Sequence, residues 1–427
     1  EKTFRKQMAD TSVTDLVVSD NLVLAFPVEV AGNKVISGEG SITANAKDKE
    51  GNYMFVVPSG SALTVKGNVV IDAAGVMGGI HVQKDATLTL EENAAVKHAS
   101  AKAANAMVEG KLLVNGGSFG DANGHNIYNK NETVISGGTV TGSGEKFAGV
   151  YNEGKLTQDD GSICAAYYNV VSVEGSSYTF NKGSVTKSVN NAIVIEKGAS
   201  LKITSKDASI TDAGHRGIYL SGEAVIDQVT MKNGSDTLIK ITETGKLTFH
   251  DGMLSNAGYH GIDNAGTLLV KGGTINNSYS CGIVNTGSLE MTGGTVMNNA
   301  NKGILNKLNG VAKVLTEDVY LAGNRFAIGN EDNAYFELTQ AAFSGSTNAN
   351  IYAYGGEMYI HDITLAKSAS NNVRVVAAKV TMEDVEILGN ATSGSSTTHG
   401  ILLEGGEVTA KAVGFRTREE ILALLDK

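Results

Sequence analysis

The sequence predicts an all-β fold: a single-stranded parallel β-helix of about 16 coils, with three short strands in each coil and short helical caps at the ends. Two adjacent segments carry this prediction. "GIDNAGTLLVKGGTINNSYS" begins at Gly261, "GIVNTGSLEMTGGTVMNNANK" begins at Gly282, and they match in kind almost position by position over a spacing of 21 residues. The composition agrees, because 52 glycines and only 2 prolines suit a chain of many short strands and tight turns.

Similar repeats fill nearly the whole chain. They restart near Met54, Gly79, Asn105, Asn126, Gly149, Asn169, Asn191, Gly217, Leu238, Gly261, Gly282, Gly303, Ala327, Asn350, Val373 and Gly400. Because the intervals are all about 20 to 27 residues, we predict one solenoid over residues 15–415. The repeats therefore predict a single domain, whereas the length of 427 residues alone would suggest two or three.

Each repeat contains three strands with different patterns. The first strand places one apolar residue inward, at Ile127, Val150, Ile218, Ile262, Ile283, Ile304 and Ile328. The second has a period of two, as in Leu247 with Phe249, Leu268 with Val270 and Leu289 with Met291. The third follows a glycine turn and carries Val140, Ile163, Val185, Leu254, Ile275 or Val296. A single repeat buries almost nothing, whereas stacked repeats form continuous aliphatic columns.

Both ends of the chain are predicted to be helical. Residues 1–14, with the helix-compatible run "TFRKQM", form an N-terminal cap over the first coil, whose backbone and apolar groups would otherwise be exposed. Residues 416–427 have apolar side chains at helical spacing, with acids early and a lysine late, which predicts a C-terminal helix. This helix either closes the solenoid or opens a further module.

Asparagines recur at one position of the repeat. They are Asn129 and Asn152 in one pair, and Asn264, Asn285, Asn306 and Asn330 in a run over four successive repeats. Asparagine tolerates the left-handed backbone of a tight bend, and stacked asparagines can hydrogen-bond from one coil to the next. We therefore interpret these residues as a structural ladder.

Charge and composition exclude several partners. A net charge of −10 and a pI near 5.4 argue against nucleic-acid binding, because such proteins carry an excess of positive charge. The chain has no run of 18 apolar residues, so no membrane insertion is predicted.

Cys164 and Cys281 lie about five coils apart, roughly 24 Å, which is too far for a disulfide. Nothing in the repeat requires an oligomer, so we expect a monomer, although the outward-facing Val284 and Leu305 suggest a lateral contact.

The repeats "GVYNEGKL…DDGSI", "GIDNAGTLLVKGGTI" and "GIVNTGSLEMTGGTV" resemble those of right-handed parallel β-helix proteins of the pectin-lyase-like superfamily. Bacterial cell-surface and adhesin-like members are the most similar, and the opening residues look like the capping segment of such proteins. The resemblance covers nearly the entire chain. It implies a right-handed helix and an extracellular or cell-surface location, but the superfamily includes polysaccharide lyases, glycoside hydrolases, adhesins and stalks, so it leaves the activity open.

An enzyme of this superfamily would need clustered acids, which hold Ca²⁺ in a lyase and act as acid and base in a hydrolase. The outward position of the first strand carries Tyr128, Tyr151, Val171, Tyr219, Thr242, Asp263, Val284, Leu305, Gly329, Tyr352, Arg374 and Leu402. Only one of these is an acid. The doublet Asp159 and Asp160 occupies the slot of a glycine pair and is interpreted as a polar turn. We therefore predict no catalytic residues.

Histidines also recur before the first strand, but they do not form a predicted metal site. His125, His215, His260 and His399 belong to repeats that are not successive. Two coils separate such side chains by roughly 10 Å, whereas ligands of one zinc ion lie about 2 Å from the metal. They are interpreted as structural or solvent-facing turn residues, and no cofactor is predicted.

Outward tyrosines are the remaining candidates for function. Aromatic faces beside polar groups suit sugar rings, although tyrosines on adjacent coils also pack simply to shield a sheet. The candidate glycan-binding residues are Tyr128, Tyr151, Tyr168, Tyr219, Asp263, Tyr352 and Arg374.

The sequence thus predicts a non-catalytic extracellular or cell-surface adhesin or stalk that binds a polysaccharide or a host or cell-surface glycan along one sheet. The alternative is a polysaccharide lyase or glycoside hydrolase acting on acidic, pectin-like polysaccharides, which in the lyase case would require Ca²⁺. A third hypothesis is a spacer that holds another module away from a surface.

Overall fold

The structure is a computed structural model that describes residues 1–24, 27–45, 52–388 and 399–416. About 54% of the chain is β-strand, arranged in three parallel sheets that form a β-solenoid of about 16 turns. The predicted fold class is therefore confirmed. The chain divides into two compact units, Glu1–Ile218 and Tyr219–Lys427, which are described separately.

Sheet 1 contains the strand that opens each repeat. In the first unit these strands are Val28–Glu29, Tyr53–Val57, Gly78–Val82, Ala104–Val108, His125–Asn129, Ala148–Asn152, Tyr168–Ser172 and Ile193–Ile195. In the second unit they are Ile239–Ile241, Ile262–Asn264, Ile283–Asn285, Lys302–Asn306, Phe326–Asn330, Ala349–Ala353, Asn371–Val375 and His399–Leu403. The strand Ile218–Leu220 contains the boundary between the units.

Sheet 2 contains the second strand of each repeat. In the first unit these are Asp15–Val18, Asn33–Gly38, Ala62–Val65, Thr87–Leu90, Lys111–Val114, Glu132–Ile135, Lys155–Gln158, Ser177–Phe180 and Ser200–Ile203. In the second unit they are Glu223–Ile226, Lys246–Phe249, Thr267–Val270, Ser288–Met291, Val311–Val314, Tyr335–Thr339, Glu357–Leu365, Lys379–Leu388 and Glu407–Arg416.

Sheet 3 contains the third strand. In the first unit these are Leu22–Leu24, Ser41–Ala44, Val70–Asp72, Ala95–Lys97, Ser118–Gly120, Thr139–Thr141, Ser162–Cys164, Gly183–Thr186 and Ala208–Thr211. In the second unit they are Thr230–Lys232, Met253–Ser255, Thr274–Asn276, Gly294–Met297, Val319–Ala322 and Ala342–Ser344.

Within each unit, equivalent residues of successive turns lie side by side. Ile262 pairs with Ile283, and Ile283 pairs with Ile304, all in parallel register. The inward residues predicted for the three strands are fully buried or nearly so. The core of each unit is thus a set of aliphatic columns, which stabilise the stack because apolar surface removed from water contributes roughly 25 cal/mol per Å².

The ladder asparagines hydrogen-bond from turn to turn. In the first unit, Asn129 Nδ2 donates to Asn152 Oδ1 at 2.7 Å. In the second unit the corresponding bonds join Asn264 to Asn285, Asn285 to Asn306 and Asn306 to Asn330, at 2.7, 2.8 and 2.9 Å. All six side chains are fully buried. The bonds satisfy amide groups that would otherwise be costly to bury.

The left-handed backbone expected of these ladder residues lies elsewhere in the repeat. Positive φ angles occur at Asn256, Asn277 and Asn298, at 56°, 54° and 54°, directly after the strands of sheet 3. The ladder residues are instead ordinary ends of strands in sheet 1. The expectation was wrong because two asparagine positions recur with the same period, and their spacing alone does not separate a bend from a ladder.

The last turns of the second unit depart from three strands per repeat. Glu357–Leu365, Lys379–Leu388 and Glu407–Arg416 each continue without a break through the place where a turn separates sheets 2 and 3 in earlier repeats. One residue near the middle of each strand has a positive φ: Asp362, Asp384 and Ala412, at 48°, 53° and 53°. A single left-handed residue therefore bends each of these strands.

The N-terminal helix is Lys2–Ala9. Its buried side chains are Phe4, which contacts Phe55 edge to face with ring centroids 6.3 Å apart, and Met8. Lys34 is also buried, and its ammonium group donates to the backbone carbonyls of Asp10, at 2.6 Å, and Val13. These contacts join the helical segment to the first turns.

At the other end, Arg416 completes a strand, and the rest of the predicted C-terminal helix lies outside the described residues. The predicted domain boundaries after residues 14 and 415 stay predictions.

Within the described ranges, no helix is long and apolar enough to cross a membrane. Cys164 and Cys281 are both free.

Candidate functional site

The first unit carries an aromatic cluster on the outer face of sheet 1. Tyr128 and Tyr151 occupy the same register position of adjacent turns, and their rings meet edge to face with centroids 5.1 Å apart. His125 lies 5.0 Å from Phe147 and 4.8 Å from Tyr151, centroid to centroid. We call these five residues, His125, Tyr128, Phe147, Tyr151 and the adjoining Glu153, the tyrosine platform.

Carboxylates border the tyrosine platform. The Tyr128 hydroxyl donates to Glu153 Oε1 at 2.6 Å. Burial and this hydrogen bond both raise the pKa of Tyr128. Glu109 lies on the other side, where it contacts His81 at 3.1 Å and Lys130 at 3.4 Å. The platform therefore combines aromatic edges with negatively charged acceptors.

His125 has a structural role within the platform. Its Nδ1 accepts a hydrogen bond from the backbone N–H of Ala148 at 2.9 Å. Burial lowers the pKa of His125 to about 4, so the ring is neutral at pH 7. His260 of the second unit repeats the arrangement, because its Nδ1 accepts from the N–H of Cys281 at 3.3 Å and burial lowers its pKa to about 4.

Of the other predicted tyrosines, Tyr168 belongs to the first unit and Tyr219 to the second. Tyr168 begins its strand in register with Ala148 and contacts Tyr167 edge to face at 4.8 Å. The Tyr167 hydroxyl accepts a hydrogen bond from Asn190 Nδ2 at 3.2 Å. Tyr219 is the middle residue of the strand Ile218–Leu220 and is partly exposed. Within the first unit, the ring contact of Tyr168 is thus with Tyr167 rather than with the platform rings.

Asp263 is neutralised by an ion pair. Lys240 lies beside it in the register of sheet 1 and donates to its Oδ2 at 2.7 Å. The sequence had placed Thr242 in that outward column, which was wrong by two residues. The strand Ile239–Ile241 begins one residue after the predicted restart at Leu238, as Ile262–Asn264 does after Gly261, so its outward residue is Lys240. Asp263 is therefore a poor candidate for an isolated ligand-binding acid.

The predicted lateral contact is also wrong. Val284 and Leu305 do lie on successive strands next to Asp263, but they are only 2% and 8% exposed. They form a small apolar cluster with Cys281. Neighbouring side chains cover the outer face of the sheet here, so these residues present no apolar patch to a partner.

The second unit contains a groove lined by aromatic rings and basic side chains. Phe326 and Tyr352 contact each other with ring centroids 4.7 Å apart, and Tyr354 stacks on Tyr352 at 5.9 Å. Lys302, Arg325 and Arg374 also line this open groove of about 470 Å³. We call these six residues the aromatic groove. It contains two of the predicted site residues, Tyr352 and Arg374.

Two cations of the groove are held by carboxylates. Arg374 binds Glu404 with two hydrogen bonds, at 2.7 and 3.1 Å, while its guanidinium lies 5.5 Å from the Tyr352 ring centroid. The hydrogen bonds from Arg374 lower the pKa of the Glu404 carboxyl. The Lys302 ammonium lies 3.0 Å from Glu331 Oε1. Both ion pairs fix the positions of their cations beside the rings.

Gly329 provides the space for Lys302. A β-carbon at this position would lie 2.4 Å from Lys302 Cδ. The aliphatic part of Lys302 therefore lies flat on the sheet, and its ammonium group reaches points 5.7 Å from the Phe326 ring and 5.8 Å from the Tyr352 ring. The side chain of Lys302 is only 10% exposed, so it acts as the floor of the groove.

The sequence did not identify Lys302, Arg325 or Phe326. Lys302 and Phe326 are the first residues of their strands and pair with each other in register. The first and the fourth residues of these five-residue strands both face outward, but the first position was searched only for histidines. The signal that would have found them is an aromatic or basic residue three positions before the outward residue.

No metal site is evident among the described residues. They contain no group of three or more histidine, cysteine, aspartate or glutamate side chains that could hold an ion. Asp159 accepts from Asn181 Nδ2 at 2.7 Å, and Asp160 pairs with Lys182 at 3.1 Å while accepting from the N–H of Gly161. The doublet thus stabilises a turn.

The repeated strands and the two sites define the chain as a parallel β-solenoid with an aromatic cluster on sheet 1 of each unit. No protein-family model matches the chain, and no curated protein matches it.

Proposed function

We propose that this protein is a non-catalytic carbohydrate-binding solenoid, an adhesin or stalk of a cell surface or the extracellular space, that holds glycans on the outer face of sheet 1. The observation that carries the proposal is the aromatic groove, where Phe326, Tyr352 and Tyr354 stand side by side above the sheet. Tyr354 is 52% exposed, so its face is open to a ligand. The C–H face of a sugar packs well on such rings.

Polar groups around the rings supply the second requirement of sugar binding. Hydroxyl groups need hydrogen-bond partners, and Arg374, Glu331 and Asn301 line the same groove. The tyrosine platform of the first unit offers a similar combination of Tyr128, Tyr151 and Glu153. The extracellular or cell-surface setting rests on the resemblance to adhesin-like members of the pectin-lyase-like superfamily.

A glycan array probed with the full chain tests the proposal. Calorimetry should follow on any saccharide that is retained. Tyr352→Ala and Tyr354→Ala should each weaken binding by roughly two- to tenfold, because a lost aromatic contact costs roughly 0.5–1.5 kcal/mol. Tyr320→Ala is the matched control, since Tyr320 is 39% exposed on a strand of sheet 3.

Two results would contradict the proposal. One is the absence of any retained saccharide. The other is binding that is unchanged in both groove variants, provided that circular dichroism shows them to be folded. Sustained release of unsaturated uronates or of reducing ends from uronic-acid polymers, measured with and without Ca²⁺, would instead support the lyase or hydrolase alternative.

A further inference from the structure

The aromatic groove has an excess of positive charge. Three of its lining side chains, Lys302, Arg325 and Arg374, are cations. Glu331 neutralises Lys302, and Glu404 neutralises Arg374. Arg325 is exposed and has no ion pair among the described residues. One formal positive charge is therefore left for a ligand.

We propose that the aromatic groove selects saccharides that carry an anionic substituent, a carboxylate or a sulfate, and that Arg325 binds this group. The inference rests on the proposed function, because it assumes that the groove holds a sugar. It adds the chemical class of that sugar and the residue that distinguishes it from a neutral one.

The position of Arg325 suits this role. Its guanidinium carbon lies 5.4 Å from the Phe326 ring centroid, and Phe326 contacts Tyr352. Stacking on a ring restricts the guanidinium and leaves its edge N–H groups free to donate two parallel hydrogen bonds to an oxyanion. An anion bound at Arg325 therefore places its sugar ring beside Tyr352.

The other two cations are already paired with carboxylates. Arg374 already donates to both carboxylate oxygens of Glu404, and Lys302 lies beneath the rings against Glu331. These pairs hold the groove open and fix the rings without requiring a ligand. Arg325 is thus the cation whose hydrogen bonds a ligand would complete.

The tyrosine platform of the first unit has the opposite character. Glu153 accepts from Tyr128, and Glu109 lies nearby with His81 and Lys130. Carboxylates at the border of a site repel an anionic sugar. The preference for anionic saccharides should therefore belong to the groove alone, and substitutions in the platform should not change it.

Calorimetry with matched pairs of oligosaccharides tests this inference on the full chain. One pair is a hexuronic-acid oligosaccharide and the same compound with its carboxylates methyl-esterified. The other pair is a sulfated galactan oligosaccharide and its desulfated form. We expect at least one charged member to bind about tenfold or more tightly than its neutral partner, because charge-assisted hydrogen bonds are the stronger kind.

Variants assign the preference to its residue. Arg325→Gln should remove the difference within the preferred pair and leave the affinity for the neutral member within about twofold. Lys271→Gln is the control, because Lys271 is an exposed cation that follows a strand of sheet 2 in the same unit. The difference should also shrink as salt is added.

Each outcome has a distinct meaning. Equal binding of charged and neutral members, with both weakened by Tyr352→Ala, overturns the anion preference but leaves the proposed function intact. A preference that persists in Arg325→Gln, with unfolding temperature unchanged, overturns the role of Arg325. If none of the four oligosaccharides binds while neutral glycans of other types do, the inference is wrong and the proposed function stands. If no saccharide of any kind binds, both fail.

Discussion

The Nδ1 atom of His125 accepts a hydrogen bond from the backbone N–H of Ala148, 2.9 Å away on the next turn. A protonated imidazole has no lone pair at this nitrogen, so the bond exists only when the ring is neutral. Burial favours the same state and lowers the pKa of His125 to about 4. The histidine thus completes the backbone hydrogen bonding of an adjacent turn.

This contact predicts that stability depends on pH. The pKa of His125 is near 6.5 when the chain is unfolded and about 4 when it is folded, so the unfolded chain binds a proton first as the pH falls. The contribution is fully present above pH 6.5 and is lost progressively toward pH 4, by an amount on the order of 2–3 kcal/mol. Thermal unfolding followed by circular dichroism across this range should show a falling midpoint.

His125→Gln serves as the comparison for this prediction. The glutamine oxygen can accept the Ala148 hydrogen bond at every pH but does not titrate. The variant should lose less stability between pH 6.5 and pH 4 than the parent chain. Identical pH profiles for the two proteins would show that His125 does not contribute.

Removing one member of the asparagine ladder should destabilise the second unit. Asn285 accepts from Asn264 and donates to Asn306, and its neighbours in the ladder are fully buried. Asn285→Ala leaves buried amide groups without partners, which costs about 1–3 kcal/mol each. Urea unfolding should show this loss, whereas Asn333→Ala, at an exposed turn, should change stability by less than about 0.5 kcal/mol. An equal effect of the two substitutions would contradict the ladder's role.

Lys34 should hold the N-terminal segment in place. Its ammonium group donates to the carbonyls of Asp10 and Val13, so Lys34→Met removes this donor from both, although the Asp10 carbonyl still accepts from the Val13 N–H. We expect the amides of the helix Lys2–Ala9 to exchange hydrogen about tenfold or more faster, while the rest of the first unit stays protected. Hydrogen exchange measured by mass spectrometry tests this, with the exposed Lys66→Met as control. Unchanged exchange in the helix would argue against the role of Lys34.

Gly329 should control the shape of the aromatic groove. In Gly329→Ala the new β-carbon would displace the flexible Lys302 side chain from the floor, separating it from Glu331. Saccharide affinity should fall about fivefold or more, with little change in unfolding temperature. Gly414→Ala is the control, because a β-carbon there meets nothing within 4 Å. Retention of full affinity in Gly329→Ala would show that Lys302 does not shape the site.

The core of the fold could be predicted from the sequence because its residues recur in each repeat. Ile262, Ile283 and Ile304 lie in the same environment one turn apart, so the same requirement for an inward apolar residue recurs with the same period. The buried ladder followed from the same reasoning, since Asn264 and Asn285 meet the same requirement on successive turns. Burial limits the residue types that these positions accept. Because the same limit applies in each turn, it produces a periodic pattern in the sequence.

The outward positions carry no such constraint, and there the sequence was less informative. Lys240 rather than Thr242 lies beside Asp263, because the intervals between restarts are unequal and the outward residue must be counted from the restart of its own repeat. Likewise, the ion pair of Arg374 and Glu404 joins residues 30 positions apart, which is longer than the repeat intervals of about 20 to 27 residues. A shift of two residues changes which outward side chains meet without disturbing the core.

The sequence by itself therefore determined the strands, their inward faces and the β-solenoid. Only the tertiary structure decided that Phe326, Tyr352 and Arg325 share one groove and that Val284 and Leu305 are covered. The physical reason is that the core is formed by inward residues that recur at a regular interval, and this interval is visible in the sequence of a single chain. A surface site depends instead on the register of particular neighbouring turns and on the space left by a residue such as Gly329.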